Sequence, residues 1–174
     1  MKKLVLVMLA MVVVNSLVFA EGEPAAGKFG VQTRLIFTST SLPSASGFGA
    51  KFMINDSIAL RAALGILNYK SSGSSITLFD LGAGFEYHFA PKGGVSPYVS
   101  AELSYSAASF SGGGTSPSDF GLCAAIGGEY FFSSNFSWAG EARLGYDSYK
   151  DGAGVTTTYI GTFGFATFLT FYIN

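Results

Sequence analysis

The sequence predicts an all-β protein: an eight-stranded antiparallel up-and-down transmembrane β-barrel. Three observations carry that expectation. Apolar residues alternate with small or polar ones in eight segments along the chain, the two-residue period of a strand. Charged residues make up 12% of the chain and aromatics 16%, yet beyond residue 20 no apolar run reaches the roughly 18 residues of a membrane helix. An oily chain without such a helix can satisfy its backbone in a bilayer by closing a barrel. Finally, the less apolar face carries mainly Gly, Ala, Ser and Thr with isolated charges. A soluble eight-stranded barrel such as a lipocalin would show Lys and Glu at most positions facing water. Small residues with a few charges suit the narrow interior of an eight-stranded membrane barrel.

The N-terminus reads as a cleaved secretory signal peptide over residues 1–20. Lys2 and Lys3 form the basic start, Leu4 to Val14 the apolar stretch, and Val18-Phe19-Ala20 the small-x-small cleavage site. Asn15 and Ser16 interrupt a run already short for a membrane anchor, and no Cys follows Ala20 to accept a lipid. The barrel domain is then expected over residues 21–174. Without Lys2 and Lys3, 8 basic side chains face 11 acidic ones, so no basic patch exists for nucleic acid. Cys123 is alone and forms no intrachain disulfide. Stability must come from a core or from a bilayer.

The strands follow in order. β1 spans about Lys28 to Thr38, with Phe29, Val31, Thr33, Leu35 and Phe37 on one face and Gln32 and Arg34 on the other. β2, about Phe48 to Ile54, sets Phe48, Ala50, Phe52 and Ile54 against Lys51. β3, Ile58 to Tyr69, sets Leu60, Ala62, Leu64 and Ile66 against Arg61. β4 lies within Thr77 to Pro91, with Phe79, Leu81, Phe85 and Phe89 opposite Asp80, Gly82, Gly84, Glu86 and His88. β5, Pro97 to Ala107, alternates Val99, Ala101, Leu103 and Tyr105 with Tyr98, Ser100, Glu102 and Ser104. β6, Asp119 to Phe132, sets Phe120, Leu122, Ala124, Ile126 and Tyr130 against Asp119, Cys123 and Glu129. β7, Ser137 to Tyr149, sets Trp138, Ala142, Leu144 and Tyr146 against Glu141, Arg143 and Asp147. β8, Thr156 to Ile173, sets Tyr159, Phe163, Phe165, Leu169 and Phe171 against Thr158, Thr162, Gly164, Ala166 and Thr170.

Connections 54–56, 90–96 and 133–135 are tight turns, whereas 39–47, 68–75, 108–118 and 149–154 are mostly longer and rich in Ser and Gly. Short turns at one end and longer loops at the other match the periplasmic and exterior sides of an outer-membrane barrel. Tyr87, Tyr130, Trp138, Tyr146 and Tyr159 fall towards strand ends, where interfacial aromatic girdles sit.

The charges all fall on one face. Arg34, Lys51, Arg61, Asp80, Glu86, His88, Glu102, Asp119, Glu129, Glu141, Arg143 and Asp147 share the small-residue side, and a charge on the lipid face would cost about 2–4 kcal/mol for Arg or Lys. Buried charges must be paired, so these residues are expected to form an internal network. Arg34 and Arg143 are expected to meet Glu102, Glu129 and Glu141. Seven acids outnumber four bases. Cys123 reads as a small buried hydrophobe in the lumen.

Catalytic and cofactor chemistries have weaker support. Asp80, Glu86, His88, Ser100, Ser104 and Glu102 offer the residue types of a Ser-His-acid hydrolase, but His88 lies beside a tight turn, away from the outer leaflet. Gly82-x-Gly84 lacks the following helix and third glycine of a phosphate cradle. It reads instead as thinning that makes room for larger neighbours such as Tyr98. One His and one Cys without ligand spacing predict no metal, and no cofactor is expected.

Phrases such as GAGFEYHF, GGEYFFSSNFSWAGEARLGY and FGFATFLTFYIN, with the signal peptide and eight strands, resemble the small outer-membrane β-barrel family of Gram-negative bacteria. That group includes OmpX, OmpW and the barrel domain of OmpA. The resemblance spans the mature chain and implies a monomer in outer-membrane lipid and lipopolysaccharide, inserted by the barrel-assembly machinery. Members usually end on an aromatic residue, whereas this chain ends Phe171-Tyr172-Ile173-Asn174; Phe171 is expected to serve in its place. The function expected is non-enzymatic: envelope structure or surface interaction with a polar, largely filled lumen. The alternative is a small channel or OmpW-like conduit for ions or apolar solutes.

Overall fold

The computed structural model describes residues 25–38, 47–71, 74–111 and 116–173, with backbone only at 71, 74, 162 and 163. The expected signal peptide at 1–20 lies outside the described residues, as do 39–46, 72–73 and 112–115 of the expected loops. The strands are β1 Phe29–Thr38, β2 Gly47–Met53, β3 Ile58–Ser71, β4 Ser74–His88, β5 Val95–Phe110, β6 Ser118–Ser133, β7 Phe136–Lys150 and β8 Thr156–Ile173. Each pairs antiparallel with its sequence neighbours, and β8 returns to β1 from Phe29↔Ile173 to Thr38↔Gly164, closing the barrel. No described helix is long and apolar enough to cross a membrane.

Three tight turns gather at one end. In the β2–β3 turn, Asn55 Oδ1 accepts from the Ser57 and Ile58 amides, each at 2.8 Å, an Asx turn. The β4–β5 turn puts Gly93 and Gly94 at φ 62° and 79° between bridged Lys92 and Val95. Two successive positive φ angles match the strand twist and favour glycine. Between β6 and β7 only Ser134 and Asn135 intervene.

At the opposite end the strands reach further than composition suggests. Most of 68–75, expected as a loop, continues β3 and β4, and Asn68 Nδ2 donates to Thr77 Oγ1 across the ladder at 2.7 Å. Polarity there marks the height above the apolar band, not the end of the strands.

The outer face is apolar. Leu64, Leu81, Leu103 and Leu122 are between 45% and 49% exposed, on the side facing away from the charges. Four leucines so exposed on separate strands need lipid around them. The inner face buries Arg34, Lys51, Arg61, Glu86, His88, Glu102, Glu129, Glu141, Arg143 and Asp147 at 8% exposure or less. Beneath them, at the tight-turn end, Met53, Ala59, Phe131 and Tyr172 pack as a buried apolar cluster. Phe168 and Tyr172 of β8 thus point inwards, and the interior is less uniformly polar than small-residue alternation implies.

Beyond the apolar band the polarity of the wall reverses. Asn68, Lys70, Thr77, Ser148 and Lys150 occupy the outer face there, while Leu67, Tyr69, Ile76, Leu78 and Phe110 occupy the inner one. Leu67 and Tyr69 are 53% and 61% exposed inside this mouth.

β8 departs from simple alternation. Arg143 pairs with Gly164 but Leu144 pairs with Thr162, so one extra residue bulges from β8. Gly164 has φ 115°, open to glycine and strained for other residues. The bulge reverses parity above it. Tyr159 pairs with Asp147 and joins the inner-face register, while Ile160, 83% exposed, takes the outer face. The expectation of Tyr159 in the lipid-facing girdle is therefore corrected. Thr158, expected inwards, stands opposite Ser148, at an outer-face register position, and the Thr162 backbone pairs with Leu144. Tyr87, Trp138 and Tyr146 do lie outwards, 38–48% exposed, and the Trp138 indole donates to Thr167 Oγ1 at 2.6 Å.

Candidate functional site

Alternation sends one charged side chain after another into a closed space, and the curvature of the barrel decides which of them meet. The central group is built around Glu102 of β5. Its Oε1 accepts from Arg34 Nη2 of β1 and from Arg143 Nη2 of β7, both at 2.7 Å, and its Oε2 lies 3.4 Å from Arg61 Nη2 of β3. Glu141 of β7 faces Arg61 at 3.0 Å and Arg143 at 3.3 Å, and accepts from Tyr98 Oη at 3.1 Å. The Phe168 ring of β8 lies under the Arg34 and Arg61 guanidiniums at 5.6 and 5.0 Å, a cation–π contact that covers their faces.

Arg61 connects this group to a second one nearer the tight turns. Its Nη1 lies 3.0 Å from Glu86 Oε1 of β4, whose Oε2 meets Lys51 Nζ of β2 at 2.5 Å. Lys51 and Arg61 are cross-strand partners, a like-charge pairing that costs energy unless an acid stands between them, as Glu86 does. Lys51 Nζ also donates to Glu129 Oε2 of β6 at 2.6 Å. Glu129 Oε1 accepts from Ser137 Oγ at 2.5 Å and from Tyr172 Oη at 2.8 Å. All eight strands thus contribute a side chain to one belt.

His88 sits in this second group. Its Nε2 lies 2.8 Å from Glu86 Oε2 and 3.1 Å from Lys51 Nζ, and its Nδ1 lies 2.9 Å from Ser96 Oγ. Nε2 thus stands between a carboxylate, which only accepts, and an ammonium, which only donates. Either tautomer satisfies one of the two, and Ser96 Oγ can donate to Nδ1 or accept from it. Ser96–His88–Glu86 has the order of a nucleophile, base and orienter, using a serine that the sequence reading passed over for Ser100 and Ser104. Ser96 is 0% exposed and His88 1%, which leaves no approach for a substrate carbonyl to the hydroxyl.

The expected pairings are partly corrected. Arg34 and Arg143 do meet Glu102, and Arg143 meets Glu141, but Glu129 pairs with Lys51 across the barrel. Cys123 is partly buried, and its Sγ lies 2.9 Å from Arg143 Nη2, so it touches a guanidinium and not an apolar core. Asp119 and Asp147 lie close together nearer the loop end. Asp80 and Asp119 both pair with Ser106, on either side of β5. Four bases therefore engage four glutamates, and the three aspartates lie on the mouth side of them.

Gly82 and Gly84 do thin the wall, though not for Tyr98. A methyl at Gly82 would stand 3.3 Å from Arg34 Nη1, and one at Gly84 3.1 Å from Glu102 Cβ. The residue that admits Tyr98 is its cross-strand partner Gly127, where a methyl would stand 2.6 Å from Tyr98 Cζ.

A barrel of eight neighbour-paired strands, apolar outside and ion-paired inside, defines an outer-membrane class of protein. The chain belongs to the outer membrane protein beta-barrel domain family, whose family model matches residues 6–166. Among solved structures it is similar to Neisserial surface protein A (NspA), with 25% identity and a TM-score of 0.50 over 83% of this chain and 96% of that one. It is also similar to the N-terminal β-barrel domain of Pseudomonas aeruginosa OprF, with 17% identity and a TM-score of 0.49 over 85% and 98%. The Pseudomonas aeruginosa outer membrane protein OprG aligns at 14% identity with a TM-score of 0.48 over 87% and 96%. Comparison with curated protein sequences gives no match.

Proposed function

We propose that the protein is a non-enzymatic outer-membrane barrel of the Gram-negative envelope, serving envelope structure or surface interaction, with a lumen filled across its middle. The observation that carries this reading is the belt itself. Arg34, Lys51, Arg61, Glu86, Glu102, Glu129, Glu141 and Arg143 come from seven strands, β1 to β7, and all are at most 8% exposed. Side chains held by ion pairs at 2.5–3.4 Å resist displacement by a hydrated ion, because each broken pair leaves a buried charge uncompensated. The apolar cluster of Met53, Ala59, Phe131 and Tyr172 adds a second barrier below. In this reading the signal peptide is removed on export and the tight turns face the periplasm. The barrel is inserted as a monomer by the assembly machinery and is bounded by lipid and lipopolysaccharide. Single-channel recording of the refolded protein is the test. A silent bilayer is expected; discrete conductance steps lost on heat unfolding refute the filled lumen.

One observation favours a narrower form of the conduit alternative. The mouth presents Leu67, Tyr69 and Phe110 inwards at 43–61% exposure, which suits uptake of a small apolar or amphiphilic solute at the surface without passage through the belt. A solvatochromic apolar probe should bind the refolded barrel, and Leu67→Asp should weaken that binding. Equal binding by both proteins counts against this form.

A further inference from the structure

We propose that Glu86, His88 and Glu129 form a cation site built like a metal centre, whose resident cation is the Lys51 ammonium, and that the site takes a borderline divalent ion such as Zn2+ once the ammonium is removed. Glu86 Oε2, Glu129 Oε2 and His88 Nε2 converge on Lys51 Nζ at 2.5, 2.6 and 3.1 Å. These three atoms lie within 4.8 Å of one another. His88 Nε2 is 2.8 Å from the Glu86 oxygen and 3.8 Å from the Glu129 oxygen. Ligands about 2.1 Å from a tetrahedral zinc stand about 3.4 Å apart, so small adjustments of both distances close the set.

The surroundings argue for a site more strongly than the three ligand atoms do. Each ligand's other polar atom is already held, as the outer partners of a metal site hold its ligands. Glu86 Oε1 faces Arg61 at 3.0 Å, and Glu129 Oε1 accepts from Ser137 and Tyr172 at 2.5 and 2.8 Å. His88 Nδ1 lies 2.9 Å from Ser96 Oγ, which reaches the Phe89 carbonyl at 3.5 Å. Ser96 can therefore donate to the ring, or accept from it while donating to Phe89. The second arrangement moves the imidazole proton to Nδ1 and frees Nε2 for a metal. Two carboxylates and a neutral imidazole are the ligand types of a borderline divalent ion.

The test is refolding of the full mature barrel in detergent with Lys51→Ala, which removes the ammonium and leaves space. Co2+ is the probe, for its visible absorption, and Zn2+ is the competitor. Lys51→Ala should bind one Co2+ per chain, displaced by Zn2+, and its urea midpoint should rise with metal. The native protein should show neither change. Lys51→Ala/His88→Ala should bind at least tenfold more weakly, and Lys51→Ala/Ser96→Ala roughly tenfold more weakly through loss of ring orientation. A folded Lys51→Ala barrel that binds no metal, or binds it equally without His88, overturns the proposal. If Lys51→Ala refolds only with metal, that rescue supports it. If it fails even with metal, the proposal is overturned.

Discussion

Glu102 accepts from more guanidiniums than any other described acid, so its neutralisation is the sharpest perturbation of the belt. Glu102→Gln keeps the shape and removes the charge that Arg34 and Arg143 share at 2.7 Å and Arg61 approaches at 3.4 Å. The cost does not scale with three cations. Arg61 retains Glu86 and Glu141, and Arg143 retains Glu141. For Arg34 the pair with Glu102 is a direct contact at 2.7 Å. The loss is thus about one broken buried pair, roughly 3–5 kcal/mol. With a urea slope of about 2 kcal/mol/M, the midpoint should fall by on the order of 2 M. Equilibrium unfolding in detergent, followed by heat-modifiable gel mobility and tryptophan fluorescence of Trp138, measures it. Replacing Arg34 by Met in the Glu102→Gln background should then cost less than about 1 kcal/mol, because the stranded charge is gone. Additive losses, or an unchanged midpoint in the single variant, would falsify the claim that Glu102 and Arg34 act as a pair.

Three further outcomes follow from the same geometry. Leu64→Arg, at the middle of the lipid face, should cost about 2–4 kcal/mol, whereas Ser148→Arg, beyond the apolar band, should be nearly neutral; equal costs would displace the band. Gly127→Ala sets a methyl 2.6 Å from Tyr98 Cζ and 2.7 Å from the Gly140 carbonyl oxygen, so it should destabilise by about 1–3 kcal/mol, visible in the urea midpoint. Lys51→Arg preserves charge but forces a planar fork into a space shaped for a point charge. Its midpoint should fall by a similar amount, and an unchanged value would mean that the cage is looser than its 2.5–3.1 Å contacts.

The side on which each charge falls was legible from parity, because side-chain direction alternates locally and needs no knowledge of partners. Which charges meet was legible only in part. Glu102, among the acids expected near Arg34 and Arg143, meets both, but Glu129, expected with them, reaches Lys51 on β2 across the barrel. Diameter and strand stagger set that reach, and neither is written in any one strand. Tyr159 shows a second limit. Its face depends on a bulge opposite Arg143 and Leu144, and the local hint, Gly164, is one glycine among 23. Tyr98 and Gly127 show what register adds: once β5 and β6 are aligned, the bulky ring and the residue that admits it are direct partners. The loop at 68–75 misled because Ser and Asn signal turns in a soluble protein. On a barrel rising above its membrane they also signal strands that have reached water.

The excess of acids over bases, puzzling in the sequence, has a spatial answer in the distribution of side-chain types. The longer glutamates reach the barrel axis, where Arg34, Arg61 and Arg143 can each present several donors in one plane. Arg61 uses that capacity to face Glu86, Glu102 and Glu141 together, which no lysine could do from one position. Lys51 stands where three ligand atoms converge on a point, which suits a compact ammonium better than a fork. The shorter aspartates stay near the wall and towards the mouth, Asp119 against Asp147. The belt is consequently balanced base for glutamate, and the surplus negative charge lies on the side of the mouth. Any solute entering there meets apolar rings first, then carboxyl groups, then a neutral cross-braced layer. In the function proposed above, that order would admit surface binding more readily than passage, and the division depends on side-chain length as much as on charge.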